Sequence, residues 1–218
     1  MSEEQQLREK IGCGSQNPDD YEALAKLLYE SARLDESVGV LRQALRLPLS
    51  DPSRAALLTK LGRCLNNLTD DIEEPLSLGE QAIALTQGTE TIEALTVRAF
   101  AQSLVSQCVS DTDSVRATEA ATSALSLLVQ VLDGSATLDD QFAIHLEAAN
   151  LNRLLGRAEE AAERCKQALQ LAANQDQRVI CMTELGDIYR RAGRPAEARE
   201  TLARISHEPP SKKPPTLA

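Results

Sequence analysis

A chain of 218 residues carrying a formal net charge of −10 has no general phosphate-attracting field, which argues against nucleic acid as a partner. Aromatics make up 2% of the residues and Trp is absent, whereas Ala and Leu recur throughout, so strand formers are scarce and helix formers abundant. The longest apolar runs span a few residues, such as Leu127 to Val129, far short of the roughly 20 that cross a bilayer, and the charged start MSEEQQLREK lacks the apolar stretch of a signal peptide. An all-α, cytoplasmic protein that does not enter a membrane is the expectation.

Residues 1–17 form a leading segment that accommodates at most a loose helix. Asn17-Pro18-Asp19-Asp20 then places a capping side chain before Pro at the first helical position, and Asp51-Pro52 repeats the device. Between these and later signals, apolar spacing predicts ten helices: 18–32, 35–47, 52–67, 72–86, 90–109, 113–132, 137–155, 158–173, 176–192 and 195–205. Thr137-Leu138-Asp139-Asp140 is a capping box with Asp in place of Glu. Gly156 and Gly193 end apolar-periodic segments, and Pro195 opens the last helix. The ten helices make five hairpins over residues 18–206, and the Pro- and Lys-containing end, 207–218, is expected to be disordered.

A register repeats through the hairpins. The last reads Met182, Leu185, Gly186, Tyr189, Gly193, Pro195, Ala198, Leu202 at fixed spacing; Tyr21, Leu24, Ala25, Leu28, Ala32, Ser37, Leu41 and Ala44 follow the same frame, as do His145, Ala148, Ala149, Asn152, Gly156, Ala161, Cys165 and Ala168. This register resembles the tetratricopeptide repeat, W-x-x-L-G-x-x-Y followed by a turn Gly and a second helix of small and large slots. Gly62, Ala149, Gly186, Ala161 and Ala198 occupy the small slots that let helices approach closely. Equivalent second-helix positions, Ala44, Ala82, Ala124, Ala168 and Ile205, stand 38, 42, 44 and 37 residues apart, against a family period of about 34. The resemblance implies a superhelical solenoid of helical hairpins, about five degenerate repeats over residues 18–205.

It also implies a binding mode. In the family the first helix of each hairpin lines a concave groove that holds a partner polypeptide. Carried onto this sequence, the groove positions that bear chemistry are Lys26 and Tyr29; Arg63, Asn66 and Asn67; Asn150 and Arg153; and Asp187, Arg190 and Arg191. Arg forks and amide side chains suit carboxylates and extended backbone, so an acidic or C-terminal peptide segment fits such a wall. The family's two-carboxylate clamp for chaperone tails is not expected, because Glu22 stands where a Lys is needed and Lys26 where an Asn is needed. The expected function is a scaffold or adaptor; a holding chaperone and a non-catalytic subunit of an enzyme complex are the alternatives.

Catalysis is not expected. The sequence holds no H-E-x-x-H, no P-loop and no G-x-S-x-G, and its two histidines, His145 and His207, are far apart. Paired acids such as Asp19-Asp20 and Glu159-Glu160 sit at helix starts, where the macrodipole favours negative charge. Cys13, Cys64, Cys108, Cys165 and Cys181 are odd in number and never spaced C-x-x-C, so no disulfide framework, metal site or cofactor is anticipated. Charge is uneven: residues 1–173 carry 15 basic and 27 acidic side chains, residues 174–218 carry 8 and 6. The C-terminal end is mildly basic on an acidic body.

Overall fold

The computed structural model describes residues 2–134 and 137–207; the expected tail, beyond His207, lies outside the described residues. These residues contain eleven helices and no strand. They are α1 (Glu3–Gly12), α2 (Pro18–Glu30), α3 (Leu34–Ala44), α4 (Asp51–Leu68), α5 (Glu73–Thr86), α6 (Ile92–Val109), α7 (Ser114–Asp133), α8 (Leu138–Leu154), α9 (Ala158–Leu171), α10 (Gln175–Arg191) and α11 (Pro195–His207). The leading segment thus forms a full helix, closed by a capping box between Ser2 and Gln5 and anchored by buried Leu7, which packs with Leu24 and Leu28 of α2.

The caps explain the boundaries. Asn17 accepts a hydrogen bond from the Asp19 backbone with Pro18 opening α2, and Thr137 and Asp140 complete the capping box of α8. At α4 the cap is Ser50, whose hydroxyl accepts from the Ser53 N–H at 3.4 Å; Asp51 becomes the first helical residue and contributes through the macrodipole instead.

Three hairpins turn by the same geometry. In the first, Ala32 N–H donates to the Tyr29 carbonyl and Arg33 N–H to that of Leu28, at 3.0 and 2.9 Å. Gly156 and Arg157, then Gly193 and Arg194, repeat this pair of bonds at the ends of α8 and α10. This is the Schellman turn, which requires a left-handed residue: φ is 72° at Gly156 and at Gly193, as expected from sequence, but 57° at Ala32. A Cβ in that region is strained. Ala32→Gly is therefore expected to raise stability by about 1 kcal/mol, read as a higher urea midpoint at unchanged slope; a lower midpoint would show that Ala32 is held there without strain.

The residue after each turn adds a link. Arg33 bridges Glu36 (2.7 Å) and Glu4 of α1 (2.8 Å), and Arg194 bridges Glu197 and Glu159 of α9, the latter at 2.8 Å. These pairs are exposed and screened by solvent, so they fix orientation more than stability.

The chain divides into two compact units, with the division inside α7 between Leu127 and Leu128. In the first, α2 with α3 and α4 with α5 form hairpins, and α4 also meets α6. Their core gathers Val38, Leu41, Ala44, Leu57, Leu61, Leu78 and Ala82. The start of α7 joins through Ala117, which packs beside Leu104 and Val109 and whose carbonyl accepts from the Ser106 hydroxyl at 2.9 Å. In the second unit α8 pairs with α9 and α10 with α11, around Phe142, Ala149, Ala161, Cys165, Leu185 and Tyr189.

Candidate functional site

In the first unit a pocket of about 440 Å³ opens among α2, α3 and α4. Its floor is Ala25, Ser37, Leu41 and Cys64, all buried. The floor carries no charge and its polar atoms are used internally. The Ser37 hydroxyl donates to the Ala25 carbonyl at 2.9 Å and lies 3.6 Å from the Cys64 sulfur, and burial pushes the Cys64 thiol above its ordinary range, so it stays protonated. Glu22, Ala23, Lys26, Tyr29, Lys60 and Arg63 complete the lining, three cations against one carboxylate on a protein of net charge −10.

Of the residues expected from sequence, Lys26, Tyr29 and Arg63 line this pocket, and Asn66 and Asn67 lie on α4 with Arg63. Lys26 is exposed, and its ion pair with Glu30 is long, at 4.0 Å. The Tyr29 hydroxyl accepts from the Asn67 side-chain amide at 2.8 Å, which ties α2 to α4. Arg63 stacks over the Phe100 ring of α6, its guanidinium carbon 5.3 Å from the centroid. Asn66 accepts from the Cys108 thiol at 3.5 Å. Glu22, the residue that spoils a two-carboxylate clamp, pairs with Lys60 across α2 and α4.

In the second unit Asn150 and Arg153 lie on α8, and Asp187, Arg190 and Arg191 on α10. Asp187 accepts from Arg190 and, at 2.6 Å, from Arg191, so much of the positive charge expected here is neutralised within one helix. Arg153 has a buried Nε without a hydrogen-bond partner. Nearby, burial holds the Glu184 carboxyl above the usual carboxylate range; Arg153 and Arg191 oppose that shift, while Asp187 and Glu147 add to it. A carboxyl with a raised folded pKa stabilises the fold below that pKa, and the contribution is lost as pH rises through it. Glu184→Gln is therefore expected to melt higher than the parent at pH 7 and equally below about pH 4, where both side chains are neutral. Equal melting temperatures at both pH values would show that the two arginines fully compensate the burial.

The sequence reading missed the pocket's second-helix floor, Ser37 and Leu41, and also Lys60. Ser37 occupies the small slot that Ala161 and Ala198 fill in the other hairpins, and Lys60 is four residues before Cys64 on the same helix face, so periodicity applied to both helices of a pair would have reached them. His145 is half-buried on α8 with its Nδ1 3.5 Å from Arg164; burial and that arginine hold it below its ordinary range. All five cysteines are unpaired thiols, four buried and Cys13 exposed. Among the described residues no three His, Cys, Asp or Glu side chains group to hold a metal ion, and no helix is long and apolar enough to cross a membrane.

Helical hairpins built on small-residue contacts and Schellman turns define a class of helical-repeat proteins. Residues 140–205, covering α8 to α11, match the tetratricopeptide repeat family. The fold of the chain is that of tetratricopeptide repeat proteins. TTC0263, a tetratricopeptide repeat protein of Thermus thermophilus, superposes with a TM-score of 0.61 at 22% identity over 88% of this chain and 91% of its own. A Rap protein complexed with Competence and Sporulation Factor gives 0.67 at 16% identity over 92% of this chain and 57% of its own. A putative kinesin light chain repeat protein of Podospora anserina gives 0.51 at 21% identity, over 88% and 96%. No curated protein matches the sequence.

Proposed function

We propose that this protein is a cytoplasmic, non-catalytic scaffold or adaptor that holds a partner polypeptide on the first-helix face of its first unit. The observation that carries this reading is that Lys26, Tyr29 and Arg63 line one pocket whose charge opposes that of the whole chain, with Asn67 bonded to Tyr29 beside it. Tetratricopeptide repeat proteins generally bind proteins and carry no catalysis, and a neighbour of the same fold was solved with a bound factor. Cations and amides rather than Leu and Val line the wall, which favours recognition of an acidic or C-terminal segment over the shielding of apolar clients by a holding chaperone. The same net charge disfavours nucleic acid.

The reading is tested by selecting peptides from a random display library on the intact protein and comparing retained clones on charge reversals of the two helix faces. Acidic clones that fail on first-helix reversals and survive second-helix reversals support it. Basic clones, or clones lost on the second-helix reversals alone, overturn it.

A further inference from the structure

Deepening that reading, on which it rests, we propose that the pocket among α2, α3 and α4 is an anchor site for one aromatic side chain of the partner, flanked by Asp or Glu in the same segment.

The floor of Ala25, Leu41 and Cys64 is apolar, and its hydroxyl and thiol are already engaged with each other and with a backbone carbonyl. An occupant of the floor meets no unpaired donor or acceptor, so a polar or charged group entering it would lose its water without compensation. An apolar group gains by it. The volume of about 440 Å³ lies within the range of small-molecule pockets, roughly 300–1,000 Å³, and is more than a small aliphatic side chain fills. Aromatic side chains are the anchors that fill such pockets at protein interfaces.

The rim selects what flanks the ring. Lys26 reaches solvent, its ion pair with Glu30 being long, so a carboxylate beside the ring meets an exposed cation at the rim. Glu22, the acidic residue of the lining, is engaged by Lys60 and does not repel it. Ammonium groups beside the pocket also favour the face of an aromatic ring over an aliphatic group of similar size.

The probe is the peptide acetyl-Gly-Asp-Phe-Asp-Gly-amide, titrated into the full-length, isotopically labelled protein and followed by backbone amide shifts. Saturable shifts are expected on α2 and α4. Affinity should fall about tenfold or more when Phe is replaced by Ala, and again when both Asp are replaced by Lys. Lys26→Glu, a change at an exposed position, should weaken the peptide by about tenfold without altering helicity, and Ala23→Leu, which narrows the pocket, should do the same. Shifts on α2 and α4 that survive the Phe-to-Ala change and Ala23→Leu, yet vanish with Lys26→Glu, would overturn the anchor while leaving the polypeptide-binding wall intact. Shifts that appear elsewhere, or equally with the Lys peptide, would overturn both. Phenylacetate binding as tightly as the peptide would also overturn the proposal, because the site would then belong to a small aromatic acid.

Discussion

Leu185→Ala should lower the unfolding free energy by about 2–5 kcal/mol, the cost of emptying a large buried slot that its surroundings only partly refill. Leu185 is 6% exposed and belongs to the core of the second unit, with Phe142, Ala149, Cys165 and Tyr189. The small slots should behave differently from one another. A Cβ at Gly186 would stand 2.8 Å from the Leu202 side chain, but Leu202 is 42% exposed and can swing away, so Gly186→Ala should be nearly neutral, helix propensity offsetting the adjustment. At Gly62 the Cβ would meet Leu104 at 2.5 Å and the Pro75 carbonyl at 3.3 Å, and Leu104 is 1% exposed with nowhere to go. Gly62→Ala should therefore cost about 1–3 kcal/mol. Because the chain has two units, unfolding is best followed by amide exchange in each rather than by one global signal. Equal effects of the two Gly substitutions would mean that the helices of the first unit can part as readily as α11 bends.

Much of this was legible before any coordinates, for identifiable reasons. Helix ends were marked by side chains that satisfy specific backbone groups, so ten predicted segments fall within three residues of α2 to α11. Gly156 and Gly193 announced their turns because only Gly takes a left-handed residue freely. The same turn at Ala32 was invisible in conformation, because Ala carries no such signal and the surrounding hairpin imposes it. The division within α7 also escaped, since the third hairpin lacks the turn Gly and the aromatic that would have marked its register. Glu147, 3% exposed in the middle of α8, ran against the rule that placed acids at helix starts. For the site, first-helix positions transferred from the repeat pattern gave Lys26, Tyr29 and Arg63, three of the pocket's lining residues. Ser37 and Leu41 of the floor were missed because they belong to the following helix, α3, and a binding pattern confined to one helix of each pair does not contain them.

Reversing Lys26 and Arg63 together to Glu should abolish capture of an acidic partner, a loss of about 100-fold or more, while far-ultraviolet circular dichroism changes little. Two contributions combine. A guanidinium or ammonium partly removed from water and paired with a carboxylate contributes a few kcal/mol, and Glu in its place turns that attraction into repulsion. Arg63 also loses its stacking on Phe100, about 0.5–2 kcal/mol of local order, so Lys26→Glu alone reports charge reversal, and Arg63→Gln reports loss of the cation and its stacking with no added repulsion. The matched controls lie on second helices. Arg42 pairs with Glu74 at 2.9 Å across α3 and α5, and Arg199 donates to the Pro195 carbonyl at 3.2 Å; both are exposed, so Arg42→Glu and Arg199→Glu should each change stability by no more than about 1 kcal/mol and leave capture within twofold. Rising salt should weaken the wild-type complex and spare the controls' relative order, since partly exposed ion pairs are screened. If the second-helix reversals release the partner and the Lys26 and Arg63 reversals retain it, binding uses the opposite face, and the pocket among α2, α3 and α4 is not where the partner sits.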